Sequence, residues 1–170
     1  MKILFSHGKE SGPWGSKIKH LASVAEGYGC DVDSLDYRAI KDPDLRVEHL
    51  IAALQGPGED IVLVGSSMGG YVSLLASEQF AAKGIFLLAP ALYMPGYGRQ
   101  DYPTCSCHME IVHGWSDEVI PFQNSIRFAQ KRNAVLHLIP GDHRLNSSIE
   151  TVESLFRNFL SVILAIQTGI

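Results

Sequence analysis

The segment with the clearest chemical potential is Gly65-Ser66-Ser67-Met68-Gly69, which fits the pattern Gly-x-Ser-x-Gly with Ser67 at the serine position. An apolar run precedes this segment and a helical pattern follows it. A serine in this context lies on a sharp, strained strand-to-helix turn, and the residues two before and two after it must be small. The turn holds the hydroxyl above a helix N-terminus, which favours developing negative charge. Ser67 is therefore predicted to be a nucleophile, the alternative being a turn that binds phosphate through its backbone N–H groups.

A serine nucleophile needs a base, and the base needs a carboxylate that orients it. Asp117 follows a predicted strand at residues 109–113, and His143 follows the next predicted strand at 135–139. Ligand sites of open α/β folds lie where the carboxyl ends of the strands meet. We therefore expect Ser67, Asp117 and His143 to converge at one edge of a sheet and to form a catalytic triad.

Other polar residues are assigned lesser roles. Asp142 and Asp101 are weaker alternatives to Asp117 as the acid that orients His143. Asp142 adjoins His143, but neighbouring side chains on a loop usually point apart, and Asp101 lies in the long 90–105 loop. His7 and His113 each precede a glycine, and we expect them to support turns or the residues of the site. The histidines that we expect to be solvated or structurally satisfied are His20, His49 and His137.

The elements that must position these residues follow from the apolar pattern. Six short apolar runs predict β-strands at residues 3–5, 31–35, 61–64, 85–89, 109–113 and 135–139. Several of these runs lack a polar face, which is typical of parallel strands covered on both sides. Their alternation with helical segments predicts right-handed βαβ units and a three-layer α/β sandwich with a mostly parallel sheet of about six strands. Since no internal repeat or linker interrupts the pattern, we expect one domain over residues 1–170.

Amphipathic segments between the strands predict the helices. The first has Trp14, Ile18, Leu21 and Ala25 on one face and Pro13 in its first turn. A second helix is predicted after an Asp42 N-cap with Pro43 at its start, and its apolar face contains Val47, Leu50, Ile51 and Leu54. A third begins at Pro121, and its inward residues are Phe122, Ile126 and Ala129. The last helix has apolar residues at helical spacing: Ile149, Val152, Leu155, Phe156, Phe159, Leu160 and Ile163.

One long connection, from Pro90 to about Cys105, has neither a helical nor a strand period. Loops of this length in compact domains are usually functional or disordered. Its three tyrosines and its methionine favour a loop that folds back and makes contacts.

Cys105-Ser106-Cys107 allows three interpretations: a redox pair, part of a metal site with His108, or two small residues that enter a strand. Three cysteines do not form a framework of disulfides. A metal site needs three or four ligands, and no second cluster with zinc-like spacing exists in the sequence. We therefore favour the third interpretation and expect no metal.

Composition limits the classes of partner. With 46% hydrophobic and 19% charged residues the chain suits a packed domain and argues against disorder. Its net charge of −4 gives no general attraction to nucleic acid or to an anionic membrane. The N-terminal apolar run is too short for a signal peptide, and no apolar stretch approaches the roughly 20 residues that span a bilayer. We expect a cytoplasmic protein without nucleic-acid or membrane partners.

The motifs together resemble the α/β-hydrolase superfamily, especially its small bacterial esterases without a cap domain. The resemblance spans nearly the whole chain: Ser6-His7-Gly8 after the first strand, the turn at Ser67, the His-Gly-x-x-Asp stretch that ends at Asp117, and Gly-Asp-His at His143. It implies an oxyanion hole formed by the backbone N–H groups of Lys9 and Met68, and no cofactor. Because no insertion is large enough for a cap, the 90–105 loop would have to serve as any lid.

The expected function is hydrolysis of carboxylic esters with a short or medium acyl chain, through an acyl-enzyme on Ser67. The acyl pocket is expected among residues that flank the site: Trp14, Met68, Tyr93, Met94, Tyr97, Trp115 and Leu145. A thioesterase, an amide or peptide-type acyl hydrolase, or a perhydrolase would use the same triad. A binding module that only retains the fold, or a nucleotide-binding protein, remains a further alternative. The partner is a small-molecule ester or thioester, and the chain is expected to be a monomer or a homodimer.

Overall fold

The computed structural model describes residues 1–54, 60–102 and 105–168. These residues form a six-stranded sheet covered by helices on both faces. The strands are β1 (Lys2–Ser6), β2 (Asp31–Leu35), β3 (Ile61–Ser66), β4 (Gly84–Leu88), β5 (His108–Gly114) and β6 (Val135–Ile139). The helices are α1 (Ser16–Gly27), α2 (Pro43–Ala53), α3 (Met68–Ala76), α4 (Phe122–Arg132) and α5 (Ile149–Thr168), with a short 3₁₀ turn at Asn146–Ser148.

The strand order is β2-β1-β3-β4-β5-β6, and every neighbouring pair is parallel. The three-layer α/β fold predicted from the apolar runs is confirmed, with a sheet that is parallel throughout the described strands. Helices α2, α3 and α4 pack on one face, and α1 and α5 pack on the other. β3 lies in the middle of the sheet and is buried from Ile61 to Gly65, which explains why its sequence has no polar face.

Helix α2 begins as the sequence predicts. The side chain of Asp42 accepts hydrogen bonds from the N–H groups of Asp44 (2.8 Å) and Leu45 (3.0 Å), and Pro43 occupies the first turn. These bonds satisfy two of the N–H groups that a helix start leaves unpaired. Leu50 and Leu54 are buried, as expected for the inward face.

Two predicted boundaries are wrong. Ala89 lies outside β4, since its φ of 42° turns the chain out of the strand direction. Pro13 and Trp14 precede α1, which begins at Ser16 after an extended Gly15. The hydroxyl of Ser34 donates to the Pro13 carbonyl and holds this segment against β2, so it forms part of the β1–α1 loop.

The interpretation of the cysteine pair also requires correction. Cys105 and Cys107 are joined in a disulfide, with their Cα atoms 5.3 Å apart. The chain turns at Ser106 directly before β5, and this turn brings the two Cα atoms within the distance that a disulfide spans. Cys30 is buried and free.

The long connection after β4 folds back on the protein over its described part, residues 90–102. The side chain of Asn124 on α4 donates to the Leu92 carbonyl (2.7 Å), and the Tyr93 N–H donates to the hydroxyl of Tyr102 (2.8 Å). The side-chain amide of Gln100 closes the loop by donating to the carbonyls of Met94 and Tyr97 in the same loop. The part of the predicted loop at Pro103 and Thr104 lies outside the described residues.

None of the helices within the described ranges combines the length and the hydropathy that a membrane span requires.

Candidate active site

The turn between β3 and α3 holds Ser67 in a strained backbone conformation. Its φ is 55° and its ψ is −120°, a region that residues other than glycine seldom adopt. The end of β4 and the loop that follows it hold this geometry: the Ser67 N–H donates to the Leu88 carbonyl (2.9 Å), and the Ser67 carbonyl accepts from the Ala91 N–H (2.9 Å). Strain of this kind persists only where the surroundings fix it, and it occurs mainly at functional sites.

The small residues around Ser67 are required by close backbone packing. A Cβ atom at Gly69 would overlap the carbonyl group of Ser6 at the end of β1. A Cβ atom at Gly65 would lie 2.7 Å from the Cα of Gly70, so this residue must also lack a side chain. The two glycines therefore allow α3 to begin directly against the sheet, with Ser67 at its carboxyl edge.

The structure brings the three predicted triad residues together. His143, on the loop after β6, has its Nε2 atom 3.0 Å from Ser67 Oγ and its Nδ1 atom 2.8 Å from Asp117 Oδ2. An ionised carboxylate only accepts, so Nδ1 carries the proton and Nε2 is free to accept from the Ser67 hydroxyl. Ser67 is partly exposed and the His143 side chain is 20% exposed, so both can be reached from solvent. This is the arrangement of a nucleophile, a base and an orienting acid.

The carboxylate of Asp117 is fully buried and accepts four hydrogen bonds. Oδ1 accepts from the N–H groups of Val119 and Ile120 (2.8 Å each), and Oδ2 accepts from His143 and from His113 Nε2 (3.0 Å). Burial alone would raise the pKa of this carboxyl, but the bonds from both histidines and both backbone amides outweigh it and hold the pKa well below its ordinary value. Asp117 is thus ionised throughout the physiological pH range.

The pKa of Asp117 is lower in the folded protein than its ordinary value of 3.8. Its ionised form therefore stabilises the fold at pH values above 3.8, and this stabilisation is lost as the pH falls from 3.8 towards the folded-state pKa. We expect Asp117→Asn to lower the unfolding free energy by about 3 kcal/mol at neutral pH. The difference from wild type should shrink as the pH falls below about 4, where the carboxyl of the unfolded wild-type chain becomes protonated while that of the folded protein stays ionised. Urea unfolding of both proteins at a series of pH values measures this, and a difference independent of pH would contradict it.

His113 is the second histidine on Asp117 and is fully buried. Its Nδ1 atom lies 2.8 Å from the hydroxyl of Ser125 on α4, and its Nε2 atom also lies 3.1 Å from the Ile120 carbonyl. The ring therefore joins β5, the loop that carries Asp117 and the first turn of α4. It has no direct hydrogen bond to Ser67, which agrees with a supporting position.

The residues expected to form the oxyanion hole lie on two segments beside Ser67. Met68 is the first residue of α3, so its N–H has no acceptor within the helix. Gly8, which precedes Lys9, lies so close to Ser67 that a Cβ atom there would be 3.3 Å from the serine Cβ. Among the hydrogen bonds of the described residues, none is donated by the N–H of Lys9 or Met68. The use of both groups in an oxyanion hole remains a prediction.

The aromatic residues expected near the substrate occupy different environments. Trp14 is 42% exposed and Trp115 is 51% exposed, the latter with its ring 5.1 Å from that of Phe122. Tyr97 packs edge-on against Tyr71 at 4.8 Å, within the core on the α2/α3 face. The two tryptophans therefore offer free apolar surface on the loops that carry Lys9 and Asp117.

The other predicted pocket residues are more confined. The Tyr93 ring lies under the guanidinium of Arg127 at 3.9 Å, and Met94 Sδ is 3.8 Å from the amide of Asn124. Leu145 is fully buried in the core on the α1/α5 face, so its side chain has no free surface for a substrate. The φ of Leu145 is 57°, which helps the chain to turn after His143, and the buried Leu145 side chain anchors this loop in the core.

Three residues near the site were not identified from the sequence: Ser125, Lys17 and Arg46. Ser125 lies in a polar helical turn and has no distinguishing pattern. Lys17 precedes the buried Ile18, and burial lowers the pKa of its amine to about 8 although the charges of nearby carboxylates raise it. Arg46 lies four residues before the buried Leu50 and so on the same helical face, a signal that the sequence does contain.

Comparison with solved structures agrees with this fold. A protein of the alpha/beta hydrolase superfamily from Xanthomonas campestris pv. campestris is 29% identical, with a TM-score of 0.87 over 95% of this chain and 98% of that chain. Est1E from Butyrivibrio proteoclasticus is 18% identical, with a TM-score of 0.82 over 96% of this chain and 88% of that chain. An alpha/beta serine hydrolase without a lid from Xanthomonas campestris is 18% identical, with a TM-score of 0.66 over 92% and 79% of the respective chains.

Comparison with sequences adds a family. No curated protein matches the sequence. The model of the uncharacterised protein family UPF0227 matches residues 2–97, which is more than half of the 170 residues and includes both Ser67 and the Gly8–Lys9 segment. The fold, the topology and this match lead to one conclusion: the chain belongs to the UPF0227 family and to the α/β-hydrolase superfamily.

Proposed function

We propose that this protein is a serine hydrolase that cleaves carboxylic esters through an acyl-enzyme on Ser67. The proposal depends on one observation, the continuous hydrogen-bond chain from Ser67 Oγ through His143 to Asp117. The site combines a strained turn, which costs free energy, with an imidazole within reach of a hydroxyl and a buried carboxylate that orients the imidazole. A module that only binds a ligand needs none of the three in this arrangement, whereas nucleophilic catalysis needs all of them.

The proposed reaction proceeds in two halves. Ser67 Oγ attacks the acyl carbon while its proton passes to His143 Nε2, and a tetrahedral oxyanion forms. The C–O bond to the leaving group then breaks as the imidazolium returns the proton to the departing alcohol oxygen. A water molecule repeats both steps on the acyl-enzyme, with Ser67 as the leaving group, and releases the acid. Asp117 stabilises the imidazolium in each half, and no cofactor is required.

The substrate that we propose is a small-molecule ester with a short or medium acyl chain. The exposed rings of Trp14 and Trp115 give an acyl group apolar surface at the edge of the site. Two structural neighbours support this choice: Est1E has been solved with ferulic acid bound, and another is a serine hydrolase without a lid. A shallow site, which the absence of a cap-sized insertion in the sequence predicts, suits substrates whose acyl group extends along the surface.

A panel of paired substrates tests the bond and the acyl group together. We expect p-nitrophenyl esters from acetyl to decanoyl to be hydrolysed, with the highest kcat/KM for short or medium chains. The anilide of the preferred acyl group should react more slowly, because its leaving amine must be protonated as the C–N bond breaks. The matched thioester should also have a lower kcat/KM, because the proposed site is selective for the ester. A fluorophosphonate probe should label the wild-type protein on Ser67.

The same panel distinguishes the alternatives. A higher kcat/KM for the matched thioester than for the ester would assign the protein to the thioesterases, and a higher value for the anilide would assign it to the amide hydrolases. Folded wild-type protein that neither reacts with fluorophosphonate nor cleaves any of the three bonds would overturn the proposal in favour of a binding module.

A further inference from the structure

A fully buried arginine, Arg46, contacts the loop between β1 and α1 that carries Lys9. Arg46 projects from α2, and its guanidinium donates four hydrogen bonds to backbone carbonyls. The acceptors are the carbonyl oxygens of Ile40 (2.7 Å), Gly8 (3.1 Å), Tyr37 (3.2 Å) and His7 (3.3 Å). Within the described parts of the chain, no ion pair includes Arg46. The charge is thus held by carbonyl dipoles and by the ring of Tyr37, 5.2 Å away.

A buried charge without a carboxylate is unusual. Arginine stays protonated in proteins, and an apolar side chain of similar length would avoid the cost of removing the charge from water. Burial lowers the pKa of Arg46 below its ordinary value, in agreement with that cost. The presence of the charge therefore has to be explained by what the guanidinium holds in place.

The decisive contact is the one to the Gly8 carbonyl, which accepts from two donors. Arg46 Nη1 donates to it, and so does Nδ1 of His7 at 2.7 Å. The tautomer of His7 follows from its other nitrogen: Nε2 accepts from the Tyr37 N–H (2.9 Å), so the proton must be on Nδ1. Both donors thus fix the direction of one carbonyl group.

The Gly8 carbonyl and the Lys9 N–H belong to the same peptide unit. The described residues contain no cis peptide bond, and in a planar trans peptide the C=O and N–H groups point in opposite directions. When the carbonyl is held towards Arg46, the Lys9 N–H is held away from it, while the adjacent Gly8 lies against Ser67. Donors on the carbonyl also polarise the peptide and make its N–H a stronger donor.

We propose that Arg46, together with His7, is a positioning residue that fixes the Gly8–Lys9 peptide so that the Lys9 N–H stabilises the oxyanion formed on Ser67. This inference rests on the proposed function, because it assigns a role within the same reaction. Arg46 touches no reacting atom. Its effect is transmitted through one peptide plane, and it should therefore be specific to the transition state.

Arg46→Met tests the proposal, since methionine fills the space and removes all four donors. The loss of one oxyanion donor lowers kcat by about 10²–10³-fold, so a misdirected donor should lower it by about 10- to 100-fold. KM should stay within about twofold of wild type, because the ground-state carbonyl depends little on the oxyanion hole. Affinity for a trifluoromethyl ketone, which forms the tetrahedral oxyanion on Ser67, should weaken by the same factor as kcat/KM.

Arg46→Lys is the conservative variant. Lysine keeps the charge and three donors, so it should recover part of the lost kcat and part of the ketone affinity. If Arg46→Met does not fold, Arg46→Lys is compared with wild type in the same three measurements and should show a smaller loss with the same pattern. Either folded variant with an unchanged kcat, or with a KM that rises while kcat and ketone affinity stay constant, would overturn the role assigned to Arg46.

Two controls separate positioning from general destabilisation. Arg157→Met removes an exposed arginine whose side chain, among the described residues, bonds to Glu153 on α5, and Ile163→Ala removes a buried side chain from the opposite face of the sheet. Both should leave kcat and ketone affinity near wild type, although Ile163→Ala lowers the unfolding free energy. Wild-type protein without esterase activity and without fluorophosphonate labelling overturns the proposed function and this inference with it, whereas an active wild type with an equally active Arg46→Met overturns this inference alone.

Discussion

Ser67→Ala is expected to remove ester hydrolysis and fluorophosphonate labelling together. Loss of the nucleophile in a serine hydrolase lowers kcat by about 10⁶-fold, and the remaining rate comes from binding and from the oxyanion hole. Alanine keeps the Cβ atom that the turn already accommodates, so the fold should be retained at the strained φ of 55°. The measurement compares turnover of the preferred ester, covalent labelling and the thermal unfolding midpoint of both proteins.

The neighbouring serine offers a matched control. Ser66 ends β3 one residue before the predicted nucleophile, and Ser66→Ala makes the same chemical change in the same segment. We expect it to keep turnover and labelling close to wild type. If Ser67→Ala kept its labelling while Ser66→Ala lost it, the nucleophile would be Ser66. The hydrogen bond between His143 and Ser67 would then not be the one that activates the nucleophile.

The parts of this site that could be predicted are those that local sequence determines. A strand buried on both faces has to be apolar at successive positions, and a strained turn between a strand and a helix has to lack side chains around the serine. The position of Ser67 follows from these two constraints. The strand order follows less directly, but parallel strands bring residues that follow them to one edge, and this is why Asp117 and His143 could be identified.

The parts that could not be predicted depend on contacts between distant segments. Arg46 is separated from Gly8 by 38 positions, and nothing in its own helix shows which carbonyls it meets. The bond between His113 and Ser125 depends on how closely α4 packs on β5. Leu145 is expected near the substrate because it lies close to His143 in the sequence, yet its side chain is fully buried in the core on the α1/α5 face.

The cysteine pair shows the same limitation at short range. The sequence places Cys105 and Cys107 two positions apart, a spacing that also occurs along an extended strand with both side chains on one face. In the structure the chain bends at Ser106, and β5 begins at His108, which pairs with Gly84 of the neighbouring strand. The spacing alone does not distinguish a bend from an extended strand, so the disulfide could not be predicted from it.

Asp117→Asn is expected to lower kcat by about 10⁴-fold while the protein stays folded at neutral pH. The reason is the direction of the hydrogen bonds at this buried position. Two backbone N–H groups donate to Oδ1, so the asparagine oxygen must occupy that place and its NH₂ group must face the two histidines. The NH₂ group then donates to His143 Nδ1 and moves the ring proton to Nε2. A protonated Nε2 cannot accept the proton of Ser67, and the base is lost without any change in shape.

A second acid on the same edge provides the control for this prediction. Asp142 adjoins His143, and its Oδ1 accepts from the N–H groups of Arg144 and Leu145 (3.0 Å each), which the oxygen of an asparagine can also do. Asp142→Asn should therefore keep kcat within about threefold of wild type, although both variants remove one negative charge near the base. If the two variants lost the same amount of activity, the loss would come from charge and not from the tautomer of His143. A loss confined to Asp117→Asn, with KM unchanged, requires a carboxylate that accepts from His143 Nδ1 in the working enzyme.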